Sequence, residues 1–496
     1  MKNKIIPSQP RLVRFAAAWM AGITISILPG CTKLLDKKPV TQLITPAASD
    51  SSITASDAEN LILGVYTSER GYADGLQFNV LDRITNGDVR ADNCYAGGDN
   101  PDNITIDLFK SNAANGNISR DWGNAYDMIA QANITIAQVG ACTDPALTAA
   151  RKNQILGEAR FMRAFTFFDL VRLWGKVPLV LQPINQSSSE TLIKSVLVPP
   201  SSVDSVYDAI LSDLWFAKNT VGDVGADPSK FIVSKGTVNA LLAKIYATKS
   251  PANWDSVAFY CDQVIPHYTL VTNFNYLWDN NHKNNSEAIW ELNYNGYSDI
   301  GNWIPSQFMG ASWKKFETPT NDLVKVWTAE GDPVRYNASI TFVTYGWSDP
   351  YWNNPANYPI VSKFNDPDNG FNDFYLIRLA DILLLRAEAY NAKGDLSNAA
   401  AMVNQVRSRV SLAATPAANQ ADMALAIEKE RRLELAFEGH RWFDLLRTGR
   451  AVAVMNAQKD GAGNNLNYNV QAYQLVYPIP QTQLDLNALL VQNKGY

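Results

Sequence analysis

The chain has 496 residues, with 43 basic against 48 acidic and a formal net charge of −5. That balance argues against nucleic acid as a partner. A hydrophobic share of 46% over this length allows a core larger than one typical domain. Cys94, Cys142 and Cys261 are the cysteines of the chain body, too few and too odd in number for a disulfide scaffold, although one pair remains open.

At the start, Lys2, Lys4, Arg11 and Arg14 precede an apolar run of 14 residues, Phe15 to Leu28. A bilayer crossing takes roughly 20 residues, so the run is too short to span. A cationic head, a short apolar middle and a small-residue end make a secretory signal. The end reads Leu28-Pro29-Gly30-Cys31, which looks like a bacterial lipobox with Pro29 where a small or β-branched residue usually stands. On this reading residues 1–30 are removed, Cys31 carries acyl chains, and residues 31–55 form a lipidated tether. Loss of the four signal cations takes the charge from −5 to −9. No later apolar stretch reaches spanning length, so attachment to a membrane is expected through the lipid only.

In chain order, "SDAENLILGVYTSE" (56–69) has a cap residue followed by apolar positions at helical spacing. The polar stretch around 82–103, rich in Gly, Asn and Asp, reads as irregular. Residues 122–139 return to helix, with Trp122, Tyr126, Ile129 and Asn133 on one side. "EARFMRAFTFFDLVRLW" (158–174) is apolar around most of its circumference, the mark of a buried central helix stopped by Gly175. Residues 238–265 look like a loose tetratricopeptide-type helix pair, with Ala243, Tyr246 and Ala258 as the small and bulky contact positions. Residues 383–409 make a stronger copy through Ala387, Tyr390, Gly394, Ala399, Val403 and Val406.

Between these pairs the composition changes. Seven of the chain's 13 tryptophans fall between Tyr276 and Trp352, among many Asn, Gly, Pro and Tyr residues. Long ordered loops and short strands are expected there. Sugar rings offer an apolar C–H face and a hydroxyl rim, which flat aromatics and Asn, Asp or Arg can meet together. "NDPDNGFND" (365–373) lacks the spacing and terminal Glu of an EF-hand and reads as a solvated turn.

The charged stretch "EKERRLELAFEGHRWFDLLRTGR" (428–450) invites a catalytic or metal reading through Glu434, Glu438, His440 and Asp444. With three histidines in the chain and no H-x-x-x-H pair, metal spacing is lacking. Glu428 with Arg432, Glu438 with Arg441 and Asp444 with Arg447 stand three or four apart, as intrahelical ion pairs do. Nucleophile-elbow, dinucleotide and P-loop motifs are lacking too, and no catalytic residue, metal ligand or cofactor is assigned. Paired carboxylates for glycoside hydrolysis need only spatial closeness, so that chemistry stays open at this level.

Taken together, Cys31 with "LLDKKPV", "WGNAYDMIAQAN", "GEARFMRAFTFFDLVRLWGKVPLV", the 375–409 and 428–450 stretches and "YPIPQTQLDLNALLVQNKGY" resemble the SusD/RagB family of outer-membrane lipoproteins from Bacteroidetes. The resemblance implies a mainly α fold over residues 56–496. Tetratricopeptide-like helices at about 155–267 and 375–450 would form a scaffold, joined by an irregular, loop-rich subdomain with a few short strands at about 276–352. It further implies a non-catalytic, surface-exposed, glycan-binding lipoprotein that passes oligosaccharide to a TonB-dependent SusC-like porin. Ligand contacts are expected from residues 82–103 and 276–352. On chemistry, Asp88, Asn93 and Tyr95 are expected to make polar contacts, and Tyr294, Trp303 and Trp313 to stack. A glycoside hydrolase on a helical scaffold and a helical-repeat adaptor for peptide are the rival readings.

Overall fold

A Thr54 capping box starts the first described helix, Ala55–Arg70: its hydroxyl accepts from Asp57 N while the Asp57 carboxylate accepts from Thr54 N. Simple side-chain caps recur along the chain, with Asn115, Thr148, Ser202 and Asn253 each closing an N-terminus through a side-chain oxygen. The computed structural model describes residues 53–71, 77–309 and 314–496. The signal segment, Cys31 with the tether up to residue 52, and Trp313 lie outside the described residues.

The predicted central helix runs over Ala149–Trp174 and is buried on all sides in its second half, from Phe161 to Trp174 with only Arg172 less covered. It packs between helices Gly116–Ala141 and Val203–Thr220. Its polar residues are paired inside: Arg163 grips Asp213 from Nε and Nη2 at 2.8 Å each. Gly175 ends it at φ +74, a conformation that side chains with a Cβ avoid.

Both expected helix pairs form. Lys235–Thr248 packs on Trp254–Asp262, and Leu379–Ala392 packs on Leu396–Arg409. Ala243, Ala258, Ala387, Ala399, Val403 and Val406 are buried at the contacts, where small residues let the helices approach. Gly394 turns the second pair at φ +79.

Three two-stranded antiparallel ribbons are the strand content among the described residues: β1 (Cys94–Tyr95) with β3 (Thr318–Pro319), β2 (Ala288–Leu292) with β6 (Phe374–Arg378), and β4 (Ile340–Val343) with β5 (Tyr358–Val361). The β2–β6 ribbon is fixed to the central helix by Trp290, whose ring meets Phe161 and Phe165 edge-on at 5.0 and 4.8 Å. Its Nε1 donates to Phe231 O. The loop-rich part is therefore laid on the helical core through an aromatic joint. Cys94, Cys142 and Cys261 are buried free thiols. No described helix is long and apolar enough to cross a membrane.

The charged stretch departs from the expected pattern. Only Asp444 with Arg447 forms as an intrahelical pair, at 2.8 Å. Glu428 instead meets Arg441 and Arg450. Arg432 reaches Asp322 and Asn93. Glu438 receives Arg378 at 2.7 Å and Lys363 at 2.6 Å. The reason is local: helix Gln420–Glu434 stops before Glu438, and the next helix starts at Arg441. Arg432, Glu438 and Arg441 are buried, so each takes a partner from another element rather than sharing a solvated face.

Candidate functional site

The stretch 82–103, expected to be irregular, holds helix Arg83–Asp88 and the start of helix Pro101–Asp107, and is a clamp rather than an open wall. Gly87 lies against the backbone of Gly439, where a Cβ would stand 2.0 Å from the Gly439 oxygen. Gly439 N donates to Asp88 Oδ2 at 2.6 Å, and Asn93 Nδ2 donates to Asp88 Oδ1 at 3.2 Å. Arg432 Nε donates to Asn93 Oδ1, and Arg441 grips Asp92 from two nitrogens. Tyr95 stacks on Tyr351 at 4.1 Å, and its hydroxyl donates to Asp349 Oδ2 at 2.6 Å. Tyr294 is wholly buried, its hydroxyl on Arg70 O.

Asp88, Asn93, Tyr95 and Tyr294 are thus corrected from surface contacts to interior ones. Each spends its polar atoms on partners within the chain, and none presents area to a ligand. Of the tryptophans in the aromatic segment, Trp278, Trp290 and Trp327 are core residues. Trp347 and Trp352 are half-buried, and Trp303 is the most exposed of the segment's described tryptophans, with 44% of its surface exposed.

Burial closes one candidate pair of carboxyls, Asp88 with Glu317. Burial pushes Asp88 up to about 7, and it pushes Glu317 well above the ordinary carboxylate range, with the Asp88 charge adding to the shift. Cys94 Sγ touches Glu317 Oε1 at 3.4 Å. Such shifts suit an acid catalyst. Both carboxyls, however, are fully closed to solvent, so no substrate bond reaches them in this structure. No group of three metal-ligating side chains occurs among the described residues.

Around Trp303 the geometry is different. Two loops, 293–303 and 365–373, build a surface of rings with a polar edge. Trp303 packs on Tyr297, ring centroids 4.3 Å and planes 31° apart. Phe371 stands beside them, 41% exposed. Trp303 leads into the short helix Ile304–Phe308, whose first turn holds it by Ser306 Oγ donating to Trp303 O. Tyr297 is fixed by its hydroxyl donating to Pro367 O at 3.1 Å and by its amide donating to Asn369 O at 2.9 Å. Asn302 N donates to Gly370 O, and Asn302 Nδ2 to Asn372 O, which ties the two loops together.

Glycine makes the approach of the rings possible. Gly370, at φ +71, leaves room for Tyr297, since a Cβ there would stand 2.5 Å from Tyr297 Cε1. Gly296, at φ +85, does the same for Phe371. Exposed Asn295, Ser298, Asp299, Asp368 and Asn369 edge the rings with donors and acceptors.

The 365–373 segment is accordingly not the solvated turn expected. Asp366 accepts from Phe371 N, from Asn369 N and Nδ2, and from Asn280 Nδ2. Asp373 accepts from Lys283 Nζ, Asn293 Nδ2 and Tyr294 N. Tyr297 and Phe371 were absent from the expected site. A signal for them does exist: each follows an Asn-Gly pair, Asn295-Gly296-Tyr297 and Asn369-Gly370-Phe371, a turn that displays the next ring. Beyond Asp366 and Asn280, Tyr276 stacks on His282 at 3.8 Å as a further exposed ring pair.

An indole packed on Tyr297 with 44% of its surface exposed, on loops that also carry exposed amides and carboxylates, can hold a ring with an apolar face and a polar rim. Comparison with known proteins agrees in kind. The model described as "SusD family" matches residues 337–496, and the model described as "Starch-binding associating with outer membrane" matches residues 35–247. The chain is 26% identical to SusD-like protein P38 of Formosa agariphila, over 96% of this chain and 97% of that one. It is 23% identical to a SusD-like protein of Bacteroides ovatus, over 82% and 80%. Among solved structures, a laminarin binding SusD-like protein superposes with a TM-score of 0.75 at 26% identity, covering 89% of this chain and all of that one. Surface glycan-binding protein A from Bacteroides fluxus has the same fold, with a TM-score of 0.74 at 22% identity, over 89% and 100%.

Proposed function

Because this chain belongs to the SusD/RagB-like family, we propose that it is a non-catalytic, glycan-binding lipoprotein of the outer membrane that captures oligosaccharide at the cell surface and delivers it to a TonB-dependent porin of the SusC type. The single observation that carries the binding role is the exposed Trp303 ring seated on Tyr297. A pyranose stacks its C–H face on the indole while Asn295, Ser298, Asp299 and Asn369 meet its hydroxyls. Trp313 is the second stacking residue we assign, on chemistry alone. The laminarin-binding relative and the outer-membrane description of the matching family model support this reading.

Anchoring is by the acylated Cys31, with residues 31–55 as the tether. A lipid-tethered binder whose described helices are none of them long and apolar enough to cross a membrane does not itself move sugar through a bilayer, so capture serves uptake only when a channel lies within reach. The porin supplies that channel, and the tetratricopeptide-like helices serve as scaffold.

The test is a glycan array on the processed protein and on Trp303→Ala. Binding that the variant loses, without release of shorter products over time, supports the proposal; product release establishes the hydrolase reading instead. Affinity purification from mild-detergent membranes with glycan present is expected to recover a large β-barrel protein in comparable amount. Recovery of the lipoprotein alone under several gentle conditions removes the porin from the proposal.

A further inference from the structure

The two loops that build the ring surface, residues 293–303 and 365–373, contain four acidic residues, Asp299, Asp366, Asp368 and Asp373, and no Lys, Arg or His. Asp299 and Asp368 are exposed on the loops that carry the rings: Asp299 N donates to Gly296 O beside Tyr297, and the Asp368 charge reaches the Tyr297 phenol. Asp366 turns inward, and although burial pushes its carboxyl up, the donors from Phe371, Asn369 and Asn280 outweigh it and hold it below the ordinary range. The negative charge is felt at the rings themselves. Burial raises the Tyr297 phenol first, and the charges of Asp366 and Asp368 raise it further.

Neighbouring cations are engaged elsewhere. Lys283 Nζ donates to Asp373 Oδ1 at 2.9 Å and to Tyr294 O at 2.7 Å. His282 holds its Nδ1 against Asp279 at 2.7 Å. Lys314 lies 3.5 Å from Asp99, and Lys315 is buried over the rings of Tyr345 and Trp347.

We infer that this surface takes uncharged saccharides and rejects those carrying carboxylate or sulfate groups. The inference rests on the glycan-binding reading above and names the class of its ligand. A sugar stacked on Trp303 holds its substituents within a Debye length, about 8 Å at physiological salt, of the rim. Hydroxyls there find the Asp299 and Asp368 carboxylates as acceptors. An anionic substituent finds like charge, which at about 4 Å in water costs roughly fivefold in affinity per facing carboxylate. No guanidinium or ammonium on either loop offsets it. The aromatic faces attract neutral and charged rings alike through their C–H bonds, so the acidic rim is the part that discriminates.

The experiment measures binding of the purified full chain, in detergent, to matched polysaccharide pairs: laminarin, xylan, mannan and pullulan, each beside its sulfated derivative, with alginate as a uronate. At about 50 mM salt at least one neutral member is expected to bind, with its sulfated derivative at least about tenfold weaker. The gap should narrow at about 500 mM salt, where screening shortens the Debye length. It should narrow also in the double variant Asp299→Asn/Asp368→Asn, because both side chains are exposed and the change is one of charge. Equal or tighter binding of a sulfated glycan or alginate, lost in Trp303→Ala, overturns the inference and leaves the glycan-binding reading standing. A gap that neither salt nor the double variant alters is steric and overturns it also. Binding to no saccharide of either class removes both the inference and the reading it rests on.

Discussion

Arg441 and Asp92, 349 residues apart in the chain, form a two-pronged ion pair, Nε to Oδ1 at 2.6 Å and Nη2 to Oδ2 at 2.9 Å. Both are buried. Burial pushes the Asp92 carboxyl up, but Arg432 and Arg441 reverse that and hold it well below the usual carboxylate range. The pair fastens the segment after the first helix to the C-terminal charged stretch. Arg441→Ala leaves Asp92 buried with one cation fewer and should cost about 3–5 kcal/mol of stability, read as a lower urea midpoint at unchanged slope. An unchanged midpoint means the clamp contributes nothing.

Trp303→Ala should reduce glycan affinity by about 1–3 kcal/mol, the range of a central aromatic anchor. Circular dichroism and melting temperature should stay as in the parent, since the ring is half exposed and its ring partner, Tyr297, is itself part of the surface. Trp290→Ala is the contrast: it removes the joint between the β2–β6 ribbon and the central helix, and should destabilise by about 3–5 kcal/mol. Isothermal titration with denaturation curves separates the two outcomes.

Gly370→Ala acts on the same surface from behind. The backbone there holds φ +71, and the new Cβ would meet Tyr297. Strain of about 1–3 kcal/mol is expected, with loss of binding as Tyr297 and Trp303 move. Normal binding by a folded variant shows that the ring pair does not need its present position.

Glu291 lies buried under the platform, where burial first and the neighbouring Asp373 second raise it to about 8. Its folded value lies above its ordinary value of 4.5, so its contribution to stability is full below that value. The contribution declines as pH rises through about 8, by up to roughly 1.4 kcal/mol per pH unit. Glu291→Gln keeps an acceptor for Asn284 N and Asn293 Nδ2 at Oε1 and removes the titration. The stability difference between variant and parent should therefore move in favour of the variant from pH 5 to pH 8. A constant difference across that range shows that Glu291 titrates normally.

Cys31→Ser should release a soluble protein or leave an uncleaved precursor, because several acyl chains are what make membrane residence stable. Fractionation with mass spectrometry of the N-terminus reads the outcome. Mature protein that stays wholly with the membrane shows that something other than Cys31 anchors it.

By itself the sequence determined the helical architecture. Caps, 3.6-residue periodicity and the small-residue contacts at Ala387 and Ala399 are local signals, and the central helix and both helix pairs form where they stand. It also named Tyr294, Trp303 and Trp313 as stacking residues, of which Tyr294 is buried and Trp303 is exposed. Tertiary structure alone decided which of the other aromatic and acidic residues face outward. Asp88 and Asn93 look like rim residues in the sequence, yet they sit in a clamp closed by Gly439 and Arg432. Tyr297 lies against Gly370 and Phe371 against Gly296, distant in sequence, because the two loops that carry them are tied to each other through Asn302 and Asn372. Neither fact has a local signature of burial. A polar side chain is stable inside when distant partners satisfy it, and outside without them, so its exposure is set by the fold and not by its neighbours in sequence.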